Sequence, residues 1–403
     1  MRILRIAVVG VGAYETSRAR AYLAAIKKLA DRYLLCALSD YSQQSLYAAG
    51  GRFGVKALYT DVEEMISEEE PDVVFVLVPT DGQSVMALTA ARHKCHILTE
   101  IPYAITLPVG DAVAEACLEN RVKWEVAENV WLWPHERLKR EIVKAGFLGK
   151  ITHARLWYTS GSYHGFNAVH MILRREAKRV LGYAQLVEAP PYTSYGGTKE
   201  ETSWWESGII EFEGGVVCLY EKPPWPGVRR SHWEIEGTQG YLTGNGVKDD
   251  LVLYKDGGQI RYPFQDLYEE IDGEQVLAGV RVDTEPPIIW QNPFKQYRFS
   301  QFDDVAKASI LCSLHRAVTE NAEPEYGAAN ARRDMEIWIV IRESAQRGNI
   351  WVSLPLNGMT GLERRVHEVY ISRYGHDPIK ETASLLKTPF NRLSVMWTLA
   401  GFL

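Results

Sequence analysis

Ile3-Leu4-Arg5-Ile6-Ala7-Val8-Val9-Gly10-Val11-Gly12-Ala13-Tyr14-Glu15 opens the chain and decides its fold. Residues 3–9 are an apolar run of strand length, stopped by Gly10, and residues 14–30 then carry alanine and leucine at helical spacing. An apolar run with no polar alternation predicts a strand covered on both faces. The start resembles a signal peptide only superficially, because Glu15, Arg18 and Arg20 make the next segment charged and helical. The same alternation continues outward. Tyr33 to Leu38 predicts a second strand and Ser42 to Gly50 a second helix. Asp61 predicts the N-cap of a helix through Ser67, and Glu68 to Asp72 its solvated end. Val73 to Val78, Cys95 to Thr99 and Val122 to Val126 predict strands, with helices over 82–93 and 107–120 between them. Strands separated by helices make a parallel sheet with helices on both faces. The expectation is α/β: a domain over 1–126 built on a parallel sheet.

Beyond residue 126 the pattern changes. An amphipathic helix over Pro134 to Ala145 precedes alternating segments, Ile151 to Thr159 first. Ile209 to Phe212 and Val216 to Tyr220 flank Gly214-Gly215 as a hairpin, and His232 to Glu236, Tyr241 to Thr243 and Leu251 to Tyr254 predict more strands. Helices follow over 300–320 and 327–347. Residues 185–203 and 256–298, rich in Gly, Pro and Tyr, are expected to be long loops. This predicts a C-terminal α+β domain over 127–356 with a large open, mostly antiparallel sheet, and a polar, aromatic extension over 357–403.

The 403 residues are 46% hydrophobic and 24% charged, which excludes disordered, collagen-like and disulfide-knot classes. A net charge of -6 gives no reason to expect nucleic acid or an acidic membrane as partner. No apolar run reaches the roughly 18 residues of a membrane span. Five scattered cysteines without a CxxC pair predict reduced thiols and a cytoplasmic protein. His93, Cys95 and His96 straddle a helix-to-strand junction and fall short of the four ligands of a closed zinc site, so no metal is expected. The 12 Trp and 21 Tyr suit both core packing and stacking on sugar rings.

Gly10-Val11-Gly12-Ala13-Tyr14-Glu15 sits where a dinucleotide fold bends tightly and lets its backbone approach a pyrophosphate at a helix N-terminus. Glu15 stands where a third glycine would serve helix–strand packing. Asp40, closing the second strand, is placed to accept hydrogen bonds from ribose hydroxyls and to repel a 2′-phosphate, which favours NAD over NADP; its alternative role is a helix cap. Pro79, Thr80, Glu100 and Pro102 fall at strand carboxyl ends, where such a ligand lies.

With these parts in order, the chain resembles the glucose–fructose oxidoreductase and inositol dehydrogenase family, Gfo/Idh/MocA, over most of residues 3–355. The resemblance runs through Gly10-x-Gly12, Pro79-Thr80, Thr99-Glu100-Ile101-Pro102, Ala127-Glu128-Asn129-Val130-Trp131, Ala145 to Ile151, Glu236 to Gly240 and Val352 to Leu356. It implies a Rossmann domain, a second domain whose open sheet often forms a homo-oligomer interface (dimer or tetramer), a nicotinamide at the cleft, and carbohydrate-like small-molecule substrates. It also implies an oxidoreductase acting on a secondary hydroxyl. Two departures stand out. Ile101 replaces the lysine of the family's Glu-Lys-Pro and cannot donate, accept or titrate. The His-x-x-Asp pair has two candidates, His164 with Asn167 and His170 with Leu173.

Removing a hydroxyl proton as hydride leaves the carbon calls for a base titrating near working pH, and histidine is the default. His164 is the expected acid–base, oriented by Asn167 and assisted by Tyr163; His170 is expected in helix packing or at the substrate. Asn129 is expected at the nicotinamide end of the cofactor. Trp131, Trp133, Arg155 and Tyr158 are expected near the substrate, the tryptophans with interdomain packing as their alternative. Asp334 and Glu336 are expected on a solvated or interface face of their helix. The missing lysine leaves open a lyase or glycosidase that retains NAD and uses transient oxidation, and a binding protein with a decayed site.

Overall fold

The computed structural model describes residues 2–12, 17–159, 162–193, 199–224 and 231–398. They divide into two compact units, residues 1–128 with 307–332 and 358–399, and residues 129–306 with 333–357.

The first unit alternates strand and helix. β1 (Leu4–Val9), α1 (Arg18–Lys28), β2 (Tyr33–Ser39), α2 (Gln43–Phe53), β3 (Ala57–Tyr59), α3 (Val62–Glu69), β4 (Val73–Val76), α4 (Thr80–Arg92), β5 (His96–Thr99), α5 (Leu107–Asn120) and β6 (Trp124–Val126) follow in order. All pairings are parallel, in the order β3-β2-β1-β4-β5-β6. β1 and β4 are almost wholly inaccessible, as their unbroken apolar sequence requires. Local chemistry fixes the helix ends. Asp61 caps α3 by accepting from the N–H groups of Glu63 and Glu64, and Ser42 caps α2 by accepting from Ser45 N–H. The sequence expectation omitted only β3, three residues long and half-buried.

In the second unit, α6 (Pro134–Lys144), β7 (Ile151–Trp157), α7 (Ser162–Leu173), β8 (Ala177–Thr193), β9 (Lys199–Phe212), β10 (Val217–Lys222), β11 (His232–Gly237), β12 (Gly240–Gly244), β13 (Asp249–Lys255), β14 (Gly258–Pro263), β15 (Gln265–Ile271), β16 (Glu274–Val282) and β17 (Ile288–Gln291) run in order. α8 (Phe302–Thr319), α9 (Gly327–Gln346) and β18 (Val352–Ser353) come next. The large sheet has the order β14-β13-β12-β11-β7-β10-β9-β8-β18 and is antiparallel apart from β7 beside β10. β15, β16 and β17 form a separate three-stranded sheet.

Two expected loops are strands instead. Residues 185–193 and 199–203 belong to the long antiparallel β8–β9 pair, in which Tyr183, Val187, Tyr192 and Trp205 take their places in the ladder. Residues 256–298 hold β14 to β17. Their turns are Asp256-Gly257 and Asp272-Gly273, all four residues at positive φ. That is the backbone of a tight hairpin turn and explains why glycine and aspartate punctuate strands here.

Buried polar groups tie the elements together. In the second unit, His135 Nδ1 meets Asp249 Oδ2 at 2.7 Å and its Nε2 meets Asp266 Oδ1 at 2.9 Å, while Lys139 bridges Glu136 and Asp249 at 2.6 and 2.7 Å. Burial alone would lower the His135 pKa, but the two carboxylates outweigh it and raise it. In the first unit, Glu125 Oε1 accepts from Val126 and Gly327 N–H at 3.0 and 2.7 Å, and its Oε2 accepts from the Ser313 hydroxyl. Residues 307–332 therefore return to the first unit rather than staying in an unbroken 127–356 domain. The boundary falls inside α8 and α9.

Burial pushes the Glu125 carboxyl up to about 7. A carboxyl whose folded pKa is raised loses folding stability as pH climbs from its ordinary value through about 7. Glu125→Gln keeps one acceptor for both N–H groups and removes that titration. Melting temperature measured from pH 5 to pH 8 is expected to fall less in Glu125→Gln than in the wild type; parallel curves would refute this.

The extension after residue 357 is also ordered. α10 (Gly361–Tyr374), α11 (Thr382–Leu385) and α12 (Val395–Thr398) belong to the first unit. α10 starts with a capping box, in which Thr360 Oγ1 accepts from Glu363 N–H and Glu363 Oε2 accepts from Thr360 N–H, and ends at Gly375 with φ 76°.

Candidate functional site

In the first unit the sheet reverses direction of growth between β1 and β4, which flank each other in the middle of its order. In such sheets ligands bind outside the carboxyl ends of the strands at this point. Gly10 follows β1 with φ 90°, and a Cβ there would lie 2.7 Å from the Leu77 carbonyl carbon and 2.9 Å from Val78 N. Only glycine lets the chain turn this close to the neighbouring strand. Gly12 has φ 75°. Ala13 and Tyr14, also expected at the cofactor, lie outside the described residues, as does Glu15.

Asp40 works on this turn. Its Oδ2 accepts from Val11 N–H at 2.8 Å and its Oδ1 accepts from Ser42 N–H at 2.9 Å. The carboxylate thus ties the glycine turn to the end of β2 and the start of α2. Helix capping belongs to Ser42. Arg20, 3% exposed, donates from Nη2 to the carbonyls of Ser45 and Gly12 at 3.0 and 3.5 Å.

The other expected cofactor residues gather at the same strand ends. Pro79 precedes α4 and Thr80 is its first residue. Glu100 follows β5; its carboxylate pairs with Arg18 at the start of α1 and accepts from Ile101 N–H at 3.1 Å. Ile101 is joined to Pro102 by a cis bond, and its carbonyl accepts from the Gln83 amide at 3.4 Å. The position of the family lysine is therefore an apolar side chain on a loop whose backbone groups are bonded. The glycine turn and the acidic group beside it fit an adenine dinucleotide.

In the second unit, the first turn of α7 carries Tyr163 and His164. Both are half-buried, with ring centroids 4.7 Å apart, and His164 lies 6.2 Å from the Tyr158 ring. Residue 162 already begins the helix, so Tyr163 and His164 are neighbours on its first turn. Asn167 does not orient His164. Its Oδ1 accepts from Trp131 N–H at 3.1 Å, and the residue is fully buried.

His170, two turns further along α7, is 6% exposed and joins Asp334 of α9, Nδ1 to Oδ1, at 2.9 Å. Burial alone would lower its pKa; the Asp334 charge and hydrogen bond outweigh burial and raise it. Asp334 is 1% exposed and Glu336 is buried too, so neither lies on a solvated face. Glu336 Oε1 accepts from Leu356 N–H at 2.8 Å. With Nδ1 engaged by a carboxylate, Nε2 is the ring nitrogen left to exchange a proton.

The remaining expectations separate. Trp131 is 1% exposed, and the guanidinium groups of Arg137 and Arg140 stand 4.7 and 5.0 Å from its ring, so it packs the interior. Trp133 is half-buried and packs against Gly246. Arg155 alternates away from buried Ala154 and Leu156 and pairs with Glu234 on the exposed sheet face at 2.9 Å. The α7 residue Gly165 packs on Leu156, so Arg155 and α7 lie on opposite faces of β7. Asn129 is buried and its amide bonds to Asp303. Tyr158 is buried between His164 and Trp233.

Burial pushes the thiols of Cys95, Cys117 and Cys218 up to about 12, and His96 Nδ1 accepts from Lys123 N–H at 2.9 Å. Among the described residues no group of three or more His, Cys, Asp or Glu side chains could hold a metal, and no helix is long and apolar enough to cross a membrane.

Residues 4–128 match the model of an oxidoreductase family with an NAD-binding Rossmann fold. Over 317 residues the chain is 27% identical to a myo-inositol 2-dehydrogenase of Thermotoga maritima, covering 71% of this chain and 90% of that one. It is 27% identical over 142 residues to a D-apiose dehydrogenase of Paraburkholderia graminis, 35% of this chain and 38% of the relative. Among solved structures, a levoglucosan dehydrogenase in complex with NADH and L-sorbose aligns with a TM-score of 0.69 at 18% identity over 88% of this chain and 100% of that one, a likeness of fold.

Proposed function

We propose, on the premise that the chain belongs through residues 4–128 to the Gfo/Idh/MocA oxidoreductase family, that it is an NAD-dependent dehydrogenase of a secondary hydroxyl on a sugar, sugar derivative or cyclitol. The observation that carries the cofactor half of this reading is Gly10, whose missing Cβ lets the turn after β1 close against Leu77 and Val78. The named substrates of the relatives, myo-inositol and D-apiose, support the substrate class.

In this reading Gly10, Gly12, Pro79, Thr80 and Glu100 line the dinucleotide, with Asp40 beside its ribose. NAD, when bound, supplies the acceptor for the hydride that leaves the carbinol carbon. His170 takes the hydroxyl proton on Nε2. Asp334 holds the Nδ1 proton, fixes the tautomer and stabilises the imidazolium that forms. Ile101 takes no part in proton transfer, so the histidine does alone what a lysine–histidine pair would share. His164 and Tyr163 serve the substrate hydroxyls. We propose that the exposed face of the large sheet pairs with a second copy of the chain.

Asp40 gives a direct cofactor prediction. Its carboxylate would repel a 2′-phosphate, so NAD is expected to be turned over with a kcat/KM at least tenfold above that of NADP, and Asp40→Ser is expected to narrow this ratio, each like-charge contact being worth about 1–2 kcal/mol at an effective dielectric near 20 and wider spacing. An NADP preference in the wild type would refute it. The function itself is tested by incubating the purified full chain with NAD and a panel of aldoses, anhydrosugars and cyclitols. Growth of reduced-nicotinamide absorbance with at least one is expected; none with any would overturn the reading.

A further inference from the structure

Asp81 is the second residue of α4, one place after Thr80, and is 2% exposed. A carboxylate this deeply buried is costly without partners. All its partners come from the segment after residue 370. Ser394 donates its hydroxyl to Oδ1, Val395 donates its N–H at 3.1 Å, and Tyr374 donates its hydroxyl to Oδ2 at 2.8 Å. Arg373 stands 3.5 Å from Oδ2, and the Tyr370 hydroxyl donates to the Asp81 carbonyl at 3.1 Å.

The next residue repeats the theme. A Cβ on Gly82 would lie 2.3 Å from the Phe390 ring, so the ring sits flush on the helix backbone. α5 is held in the same way. Its first N–H, on Leu107, donates to Glu363 Oε1 at 2.8 Å, and Thr106 Oγ1 meets His367 Nε2 at 2.9 Å. One segment thus grips the amino ends of the two helices that follow β4 and β5. Those ends carry Pro79-Thr80 and lie next to Glu100-Ile101-Pro102. The far end of α4 needs less, with one side-chain bond from Arg92 to Thr382 at 2.8 Å.

A brace meant only for stability could lie anywhere along α4 and α5. Its concentration on their amino ends, with a buried charge as the anchor, has a different consequence. The strand-end loops before these helices are held where a dinucleotide would meet them, before it arrives, and preorganisation of this kind is read out as affinity. We infer that residues 358–398 are a cofactor-positioning brace, latched through Asp81, that sets the affinity of the first unit for NAD and NADH. Asp81 touches only protein and is a positioning residue. This inference rests on the dehydrogenase reading above.

The test is NADH binding to the full chain, followed by quenching of tryptophan fluorescence, with Asp81→Ala, Asp81→Asn and Phe390→Ala compared at a temperature where circular dichroism shows each to be folded. Asp81→Ala is expected to raise the NADH Kd about tenfold. Asp81→Asn keeps an acceptor for Val395 and a partner for Ser394, and is expected to stay within about threefold of the wild type. Once a substrate is known, Asp81→Ala should raise the KM for NAD far more than it lowers kcat. If Asp81→Ala does not fold, Phe390→Ala, which removes no charge partner, is expected to weaken NADH binding about threefold. Unchanged NADH affinity in a folded Asp81→Ala, or in Phe390→Ala where it stands in, overturns the brace alone. Absence of NADH binding by the wild type overturns the dehydrogenase reading and the brace with it.

Discussion

His170→Ala is expected to lower kcat by about 10³-fold, within the range of 10²- to 10⁴-fold that a positioned acid–base group supplies. NADH binding should be unchanged, because the side chain belongs to proton transfer and its partner Asp334 lies in the same unit. Asp334→Asn separates orientation from charge. An amide can still accept from Nδ1–H but cannot stabilise imidazolium, so the variant histidine titrates lower. In the wild type the pKa is raised, and the base must be neutral to act, so kcat/KM should climb with pH through a value above that of an ordinary histidine. In Asp334→Asn this limb should move to lower pH while its plateau falls. The same pair stabilises the fold below the ordinary histidine pKa, a contribution lost as pH rises through the raised value. If His170→Ala keeps wild-type kcat while His164→Ala loses it, the acid–base role belongs to the first turn of α7 instead.

Gly10→Ala is expected to abolish measurable NADH binding and to cost about 2–5 kcal/mol of stability. A non-glycine residue at positive φ costs roughly 1–2 kcal/mol, and forcing a methyl into a packed site roughly 1–3 more. Here the methyl would meet main-chain atoms of Leu77 and Val78, which cannot rotate away as a side chain can. Chemical denaturation gives the stability loss and fluorescence titration the binding. Gly51, open on all sides in α2, is the matched control, and Gly51→Ala should leave NADH binding unchanged and raise stability by about 0.5–1 kcal/mol through helix propensity. A Gly10→Ala chain of wild-type stability that binds NADH normally would mean that the turn is not a cofactor cradle.

These two positions also mark what the sequence made legible. The turn at Gly10 and the strands beside it are local signals. Apolar runs, caps and glycines announce themselves within a few residues, and the first sheet emerged with only the short β3 unforeseen. The hairpins at Asp256-Gly257 and Asp272-Gly273 carried a local signal too, the Asp-Gly pair, but flanking Tyr, Pro and charged residues masked the strands, whose outward faces are solvated.

The His170–Asp334 pair spans 164 positions and no local pattern announces it. A hint was present in α9, where apolar residues from Met335 to Ile341 cover every face and leave Asp334 little chance of a solvated side. The pairing of His164 with Asn167 looked favourable at one-turn spacing, yet the amide serves the backbone of Trp131. Asp81 is similar, an ordinary first-turn acid in sequence whose partners lie some 290 to 314 residues away.

The most direct measurement is isothermal titration of the purified full chain with NADH. One molecule bound per chain, with competition by NAD and loss of the signal in Gly10→Ala, is the predicted result. A chain that is folded and takes up neither NADH nor NAD at millimolar concentration would contradict a dinucleotide site at the end of β1.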